Sequence, residues 1–224
     1  LERVQELMTR MRNMDAVPDK YMISSLVEAY ANEGSDESIR KGKELLLEMI
    51  DKPEPDIEPN TVPFNIIINS ILKGSSVDKL QQAEDLISSM NNIGGDARPD
   101  MATYNMIISA LSRSSAPDSQ QKAPEYLRQM LTSYREGYDK AKPDSFVFNC
   151  IISMLSRSEE EWADNVMYRT LMAMESQQKN GNTSVISDTI TYNLVIGKLS
   201  KKPNNAKKIM TLLQKMEDNK SKTI

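Results

Sequence analysis

The sequence predicts an all-α fold, a solenoid of about eleven helices made by stacking helix-turn-helix units. Three observations carry that prediction. An eleven-residue segment recurs along the chain, a helix-stopping signal precedes each copy, and a second apolar pattern of helical period lies between copies. A repeat of this length marks a stacked architecture, because one hairpin cannot bury its own apolar face.

The recurrent segment is the first helix of each unit. Copies beginning at Thr61, Met101, Ser145 and Thr189 align without a gap. Each carries an aromatic residue (Phe64, Tyr104, Phe148, Tyr192) followed by Asn (Asn65, Asn105, Asn149, Asn193), then apolar residues at the second, third and sixth places after that Asn. A weaker copy begins at Lys20, with Ile23 and Ser24 in place of the aromatic and the Asn. The periods between starts are 41, 40, 44 and 44 residues.

Before each start stands Asp or Asn: Asp19, Asn60, Asp100, Asp144 and Asp188. In the first four, proline precedes it. Proline ends the preceding helix, and the short polar side chain caps the next. Between first helices, apolar residues recur at three- and four-residue spacing up to Met11, Met49, Met90, Met130 and Met174, with Met216 at the same place in the last copy. That spacing is one buried face of a second helix. Six of the 15 methionines are therefore one packing position, suited to a flexible side chain that fills irregular gaps. The units are 1–19 (partial), 20–60, 61–100, 101–144, 145–188 and 189–224, expected to form one solenoid over 1–224. Leu1 is not an initiator methionine and the helical pattern is already under way there, so more chain or a removed leader is expected upstream.

Composition excludes several functions. The chain has no histidine and one cysteine, Cys150. Neither an intrachain disulfide nor a histidine-based nucleophile pair or metal site can form. No apolar run approaches the roughly 18 residues of a membrane span, and no Gly-rich phosphate loop is present. No enzymatic activity, cofactor or metal is expected. Acidic residues number 32 against 28 basic, a net charge of −4.

The segments "ATYNMIISAL", "ITYNLVIGKL" and "AKPD" resemble the pentatricopeptide repeat family, whose unit carries V-T-Y-N-x-L-I near its start, A-x-x-L-F-x-x-M in its second helix and K-P-D at its end. The resemblance covers nearly the whole chain and implies a right-handed superhelical solenoid that binds single-stranded RNA, one base per repeat. The units here exceed the family's length by five to nine residues. That excess lies ahead of the unit's last residue, which the family uses in recognition, so its register is at stake.

Base reading would fall to Ser24 with Asn60, Asn65 with Asp100, Asn105 with Asp144, Asn149 with Asp188, and Asn193 alone. Ser with Asn resembles an adenine reader and Asn with Asp a uracil reader, so the implied preference is 5′-A-U-U-U-pyrimidine-3′. The second residue of each unit (Tyr21, Val62, Ala102, Phe146, Ile190) would wedge between bases. A basic residue eight places after each Asn (Lys73, Arg113, Arg157, Lys201) could track phosphates; Asn32 stands there in the first copy. The family mostly works in mitochondria or plastids, on RNA processing, stability or translation.

Each feature has a structural alternative. The Asn can bond its own turn, the basic residues can face a helix C-terminal dipole, and the terminal Asp can serve as a cap only. A protein-binding scaffold subunit of a larger organellar assembly, such as a ribosome-associated one, is the competing function. Solenoids offer long surfaces to proteins too, and the net charge of −4 is not that of a basic nucleic-acid binder. The balance is uneven, however: residues 20–60 carry 5 basic and 10 acidic groups, and residues 189–224 carry 8 basic and 2 acidic.

Overall fold

A computed structural model describes residues 20–51, 59–116 and 118–220, with Glu6 and Arg10. The rest of the partial unit 1–19, with Met11 and Asp19, lies outside the described residues, as does the Met49 side chain. Among the described residues there are ten long α-helices and no strands. They are α1 (Lys20–Glu33), α2 (Asp36–Asp51), α3 (Thr61–Lys73), α4 (Lys79–Ile93), α5 (Met101–Arg113), α6 (Ser119–Arg135), α7 (Ser145–Ser156), α8 (Ala163–Lys179), α9 (Thr189–Leu199) and α10 (Ala206–Lys220).

The odd-numbered helices are the first helices of the repeats, and side-chain caps hold the starts of four of them. Asn60 accepts from the Val62 N–H at 3.0 Å, and Asp100 from the Thr103 N–H at 2.9 Å. Asp144 accepts from the Phe146 and Val147 N–H groups at 3.0 and 3.3 Å, and Asp188 from the Thr191 N–H at 2.8 Å. These bonds satisfy backbone donors that a helix start leaves without an internal partner.

The repeated apolar residues form the core. Phe64, Tyr104, Phe148 and Tyr192 are buried, as are Met90, Met130 and Met174. The described residues fall into two compact units divided between Ile107 and Ile108, inside α5. In the first unit, α1 packs on α2 and α3, α2 on α3, and α3 on α4. Gly42 lies within α2, where a Cβ would stand 2.8 Å from Ile67 Cδ1 and 3.2 Å from Tyr30 Cβ. That close approach explains a residue that costs a helix interior about 1 kcal/mol relative to Ala.

In the second unit, α6 packs on α7, α7 on α8 and α9, α8 on α9, and α9 on α10. The last hairpin is pinned by Glu175 of α8, whose buried carboxylate accepts from the Tyr192 hydroxyl at 2.6 Å and pairs with Lys215. One face of this hairpin stays open. Three residues before the repeated Met stand Leu46, Ile87, Leu127 and Leu171, all buried; at the same place in α10, Leu213 is 42% exposed.

Where the structure describes it, in the units 61–100, 101–144 and 145–188, the excess chain is folded. After Met90 and Met130, α4 and α6 continue to Ile93 and Arg135 and then yield to 3-10 turns at Gly95–Ala97 and Asp139–Ala141. Gly94, Gly95 and Gly137 supply the positive φ these turns need, and Ala97 and Ala141 are buried under them. After α8, the buried Asn182 donates to the Pro143 carbonyl at 2.8 Å and ties its loop back to the preceding repeat end.

Candidate nucleic-acid interface

On each first helix the residues sort by face. The aromatic at the fourth place of the repeat is buried, the Asn beside it is half-buried at Asn65, Asn105 and Asn149, and Asn193 is exposed. Residues four and eight places after the Asn lie on the same side of the helix, one turn and two turns further along. This gives the lines Asn65–Asn69–Lys73, Asn105–Ser109–Arg113, Asn149–Ser153–Arg157 and Asn193–Gly197–Lys201.

Within the first unit, the fold brings Asn65 and Asp100 together. Asn65 Nδ2 donates to Asp100 Oδ1 at 3.1 Å, and Thr103 Oγ1 donates to Asn65 Oδ1 at 2.6 Å. The excess residues of this unit therefore do not displace its last residue from its Asn. The amide partners lie 35 and 38 residues along the chain, at the end of its own unit and the start of the next, so this Asn bonds the junction between repeats rather than its own turn. Thr103 is fully buried, and its hydroxyl also lies 2.9 Å from Asp100 Oδ1.

A second such junction occurs within the second unit. Thr191 Oγ1 lies 3.1 Å from Asn149 Oδ1 and 2.7 Å from Asp188 Oδ1. The Thr191 backbone N–H, and then its hydroxyl, hold the Asp188 carboxyl below the usual carboxylate range. Elsewhere, Asn60 and Asp144 cap α3 and α7, and Ser24 is half-buried on α1. The Asn105 and Asp144 positions lie in different compact units.

The second residues of the repeats are on the surface. Tyr21, Val62, Phe146 and Ile190 are 73%, 53%, 48% and 70% exposed, and Ala102 is exposed as well. That is unusual for large apolar side chains, and in Phe146 and Phe148 the same residue type stands two places apart with opposite burial. Lys73, Arg113, Arg157 and Lys201 are exposed at or just beyond the C-terminal ends of the first helices. The Arg113 guanidinium donates to Ser109 Oγ, and that of Arg157 to Ser153 Oγ at 3.0 Å and the Ser112 carbonyl at 3.3 Å.

In the second unit these residues frame an open groove of about 430 Å³. Ser109, Ser112 and Arg113 of α5 line one side; Phe146, Asn149, Cys150, Ser153 and Arg157 line the α7 side. Its chemistry is mixed: an aromatic ring, an amide, hydroxyls and two guanidinium groups. Cys150 is half-buried there, and burial pushes its thiol above the usual range. Among the described residues, no group of three or more Cys, Asp or Glu could hold a metal ion. No helix among them is long and apolar enough to cross a membrane.

Four residues of this surface escape the sequence reading: Thr103, Thr191, Ser109 and Ser153. The serines had a signal, since each stands four residues from both an Asn and an Arg. The threonines stand two residues before the Asn of their own repeat, but their hydroxyls serve the Asn of the repeat before.

Neither a family model nor a curated protein matches the chain. Among solved structures, the chain is similar to the crystal structure of the pentatricopeptide repeat protein PPR10 from maize. That similarity has a TM-score of 0.55 and 14% identity, and it covers 96% of this chain and 27% of that one. Likeness at this identity shows the helical-repeat fold, and this chain spans less than a third of the maize protein.

Proposed function

We propose that the chain binds single-stranded RNA along its first helices, one base per repeat. The observation that carries the reading is the Asn65–Asp100 bond at 3.1 Å, formed between residues 35 apart and beside the exposed Val62. An Asn side chain offers two N–H donors and two acceptor lone pairs. With one donor given to Asp100 and one lone pair to Thr103, a single donor and a single acceptor remain for a base edge. Uracil offers the complement, an acceptor oxygen beside its N3–H. At the Asn149–Asp188 junction the Thr191 hydroxyl lies within reach of both side chains, and Phe146 and Ile190 supply exposed apolar area for stacking. The preferred strand under this reading is A-U-U-U-pyrimidine.

Magnitudes set the expected affinity. Stacking contributes about 1–3 kcal/mol per base, and four basic contacts give a salt slope near −3. Five bases then give binding on the order of micromolar once the strand has been ordered. The test is titration of fluorescent AUUUU against a G-rich strand of equal length at several salt concentrations. Preference for the first, weakening with salt, supports the reading; equal binding with no salt dependence overturns it. Asn105→Thr should move the third base from U toward G, following the code of the family the chain resembles. The resemblance also points to work on organellar transcripts, in mitochondria or plastids, which imaging of the tagged protein checks.

The second reading is a protein-binding scaffold within a larger organellar assembly. The net charge of −4 and the open apolar face around Leu213 favour it. A copurifying protein that protects Phe146 and Ile190 from solvent, with no RNA bound, would put this reading ahead.

A further inference from the structure

We propose that the hydroxyls of Thr103 and Thr191 position the base-reading amides of the preceding repeats and so sharpen base discrimination at two of the five places on the strand. The proposal rests on the RNA reading above and deepens it.

An Asn amide can face either way, and the choice decides what a base meets. At the first junction the surroundings make that choice. The Asp100 carboxylate accepts but cannot donate, so it draws the NH₂ end of Asn65, at 3.1 Å. The amide oxygen then points to Thr103 Oγ1, 2.6 Å away, and two oxygens at that distance need a proton between them. Asp100 Oδ1 already accepts from the Thr103 backbone N–H at 2.9 Å and from Asn65. The hydroxyl proton is thus best placed on the amide oxygen. Carboxylate and hydroxyl together hold both ends of the amide. The Thr103 side chain is buried, and its hydroxyl accepts in turn from the Asp100 N–H at 3.2 Å, so it has little freedom to turn away.

A threonine stands at the same place of the Asn149–Asp188 junction, in the other compact unit, only 2% exposed, but its hydroxyl lies 2.7 Å from Asp188 Oδ1 and 3.1 Å from Asn149 Oδ1, so it leans on the carboxylate and holds the amide less tightly. The first junction therefore carries the argument, and the second is its weaker form. The device is not general: the residues at the same place in the repeats beginning at Thr61 and Ser145 are Pro63 and Val147, which have no hydroxyl.

The test uses the whole chain and three variants, T103V, T103S and T191V, with strands varied at the second or fourth base. Valine matches threonine in shape and lacks the hydroxyl; serine keeps it. T103V should lose about tenfold in discrimination at the second base and none at the fourth, while T191V should lose several-fold less, and only at the fourth. T103S should retain the parent's discrimination at both. A general loss of stability would weaken all bases alike, so the position-specific pattern separates positioning from support. Equal discrimination in T103V and the parent overturns the proposal. A ligand-free readout decides the matter even if the parent shows no base preference, the outcome that sinks the RNA reading itself. The side-chain amide resonances of Asn65 should shift or broaden in T103V and stay in place in T103S. Unchanged Asn65 resonances in T103V overturn the proposal on their own.

Discussion

Leu171 in α8 and Leu213 in α10 hold the same place in successive repeats, yet Leu171 is fully buried and Leu213 is 42% exposed. The same contrast appears on the first helices. Ile68, Ile108 and Ile152 are buried, whereas Ile196 is half-buried. Nothing in the local sequence separates the two classes. An apolar residue in such a repeat is made into core by what stacks on it, so burial belongs to the array and not to the hairpin.

Substitution can break that comparison. Leu171→Ala should cost about 2–5 kcal/mol, the transfer loss plus a cavity, while Leu213→Ala should cost under about 1. Urea unfolding of the two variants reads the difference, and equal costs would mean that a partner covers α10 in solution. A smaller effect follows from the pin on the last hairpin. Lys215→Met leaves the Glu175 carboxylate buried with the Tyr192 hydroxyl as its remaining described partner. The loss should be about 1–3 kcal/mol, since one end of the pair is partly exposed. Its expected signature is early loss of protection against hydrogen exchange in α9 and α10, before α7.

Asp188 gives a third, smaller effect. Asp188→Ala removes a cap and should cost about 1 kcal/mol, with Asp188→Asn closer to the parent. Its carboxyl is held below the ordinary range in the folded chain, chiefly by the Thr191 N–H. The charged form is therefore favoured by folding. That contribution is complete above the unfolded carboxyl's pKa and is lost as pH falls through the lowered folded value. The gap in stability between parent and Asp188→Asn should close as the medium is acidified through that window; a constant gap would overturn the assignment. The smallest effect concerns thiol reactivity. Cys150 and Leu194 occupy the same place after the Asn, one half-buried and the other 37% exposed. In Leu194→Cys, the new thiol should react with a maleimide several-fold faster than Cys150 at neutral pH. Cys150 should gain most as pH rises, because the thiolate is the reactive form and burial holds the thiol protonated. A bound oligonucleotide should slow Cys150, which lines the groove.

The helical hairpins were legible because their signals are local. Helices start at Thr61, Met101, Ser145 and Thr189, where the aromatic–Asn segments begin after Pro-Asp, Pro-Asn or Ser-Asp. The ends of the second helices were not. The apolar period in α6 stops near Met130, but the helix continues through Leu131, Thr132, Ser133 and Tyr134 to Arg135, where backbone hydrogen bonds need no apolar period. Of the expected reading pairs, the structure joins Asn65 directly to Asp100, and Asn149 to Asp188 through Thr191. The threonine bridges were hidden because a hydroxyl in one repeat serves an amide in another, 38 or 42 residues back, and the residue recurs in only half of the junctions.

The carboxylate of Asp100 accepts from the Thr103 N–H at the start of α5 and from the Asn65 amide of its own repeat. One residue thereby serves two masters, and this constrains how such an array can change over generations. Replacing the Asp also loosens the next helix start, so most routes through that position pass through a weakened intermediate. Replacing the Asn leaves the helix start alone. Under the RNA reading proposed above, new target preferences should therefore arise first at the Asn, and a laboratory lineage selected for a new strand would be expected to follow the same order.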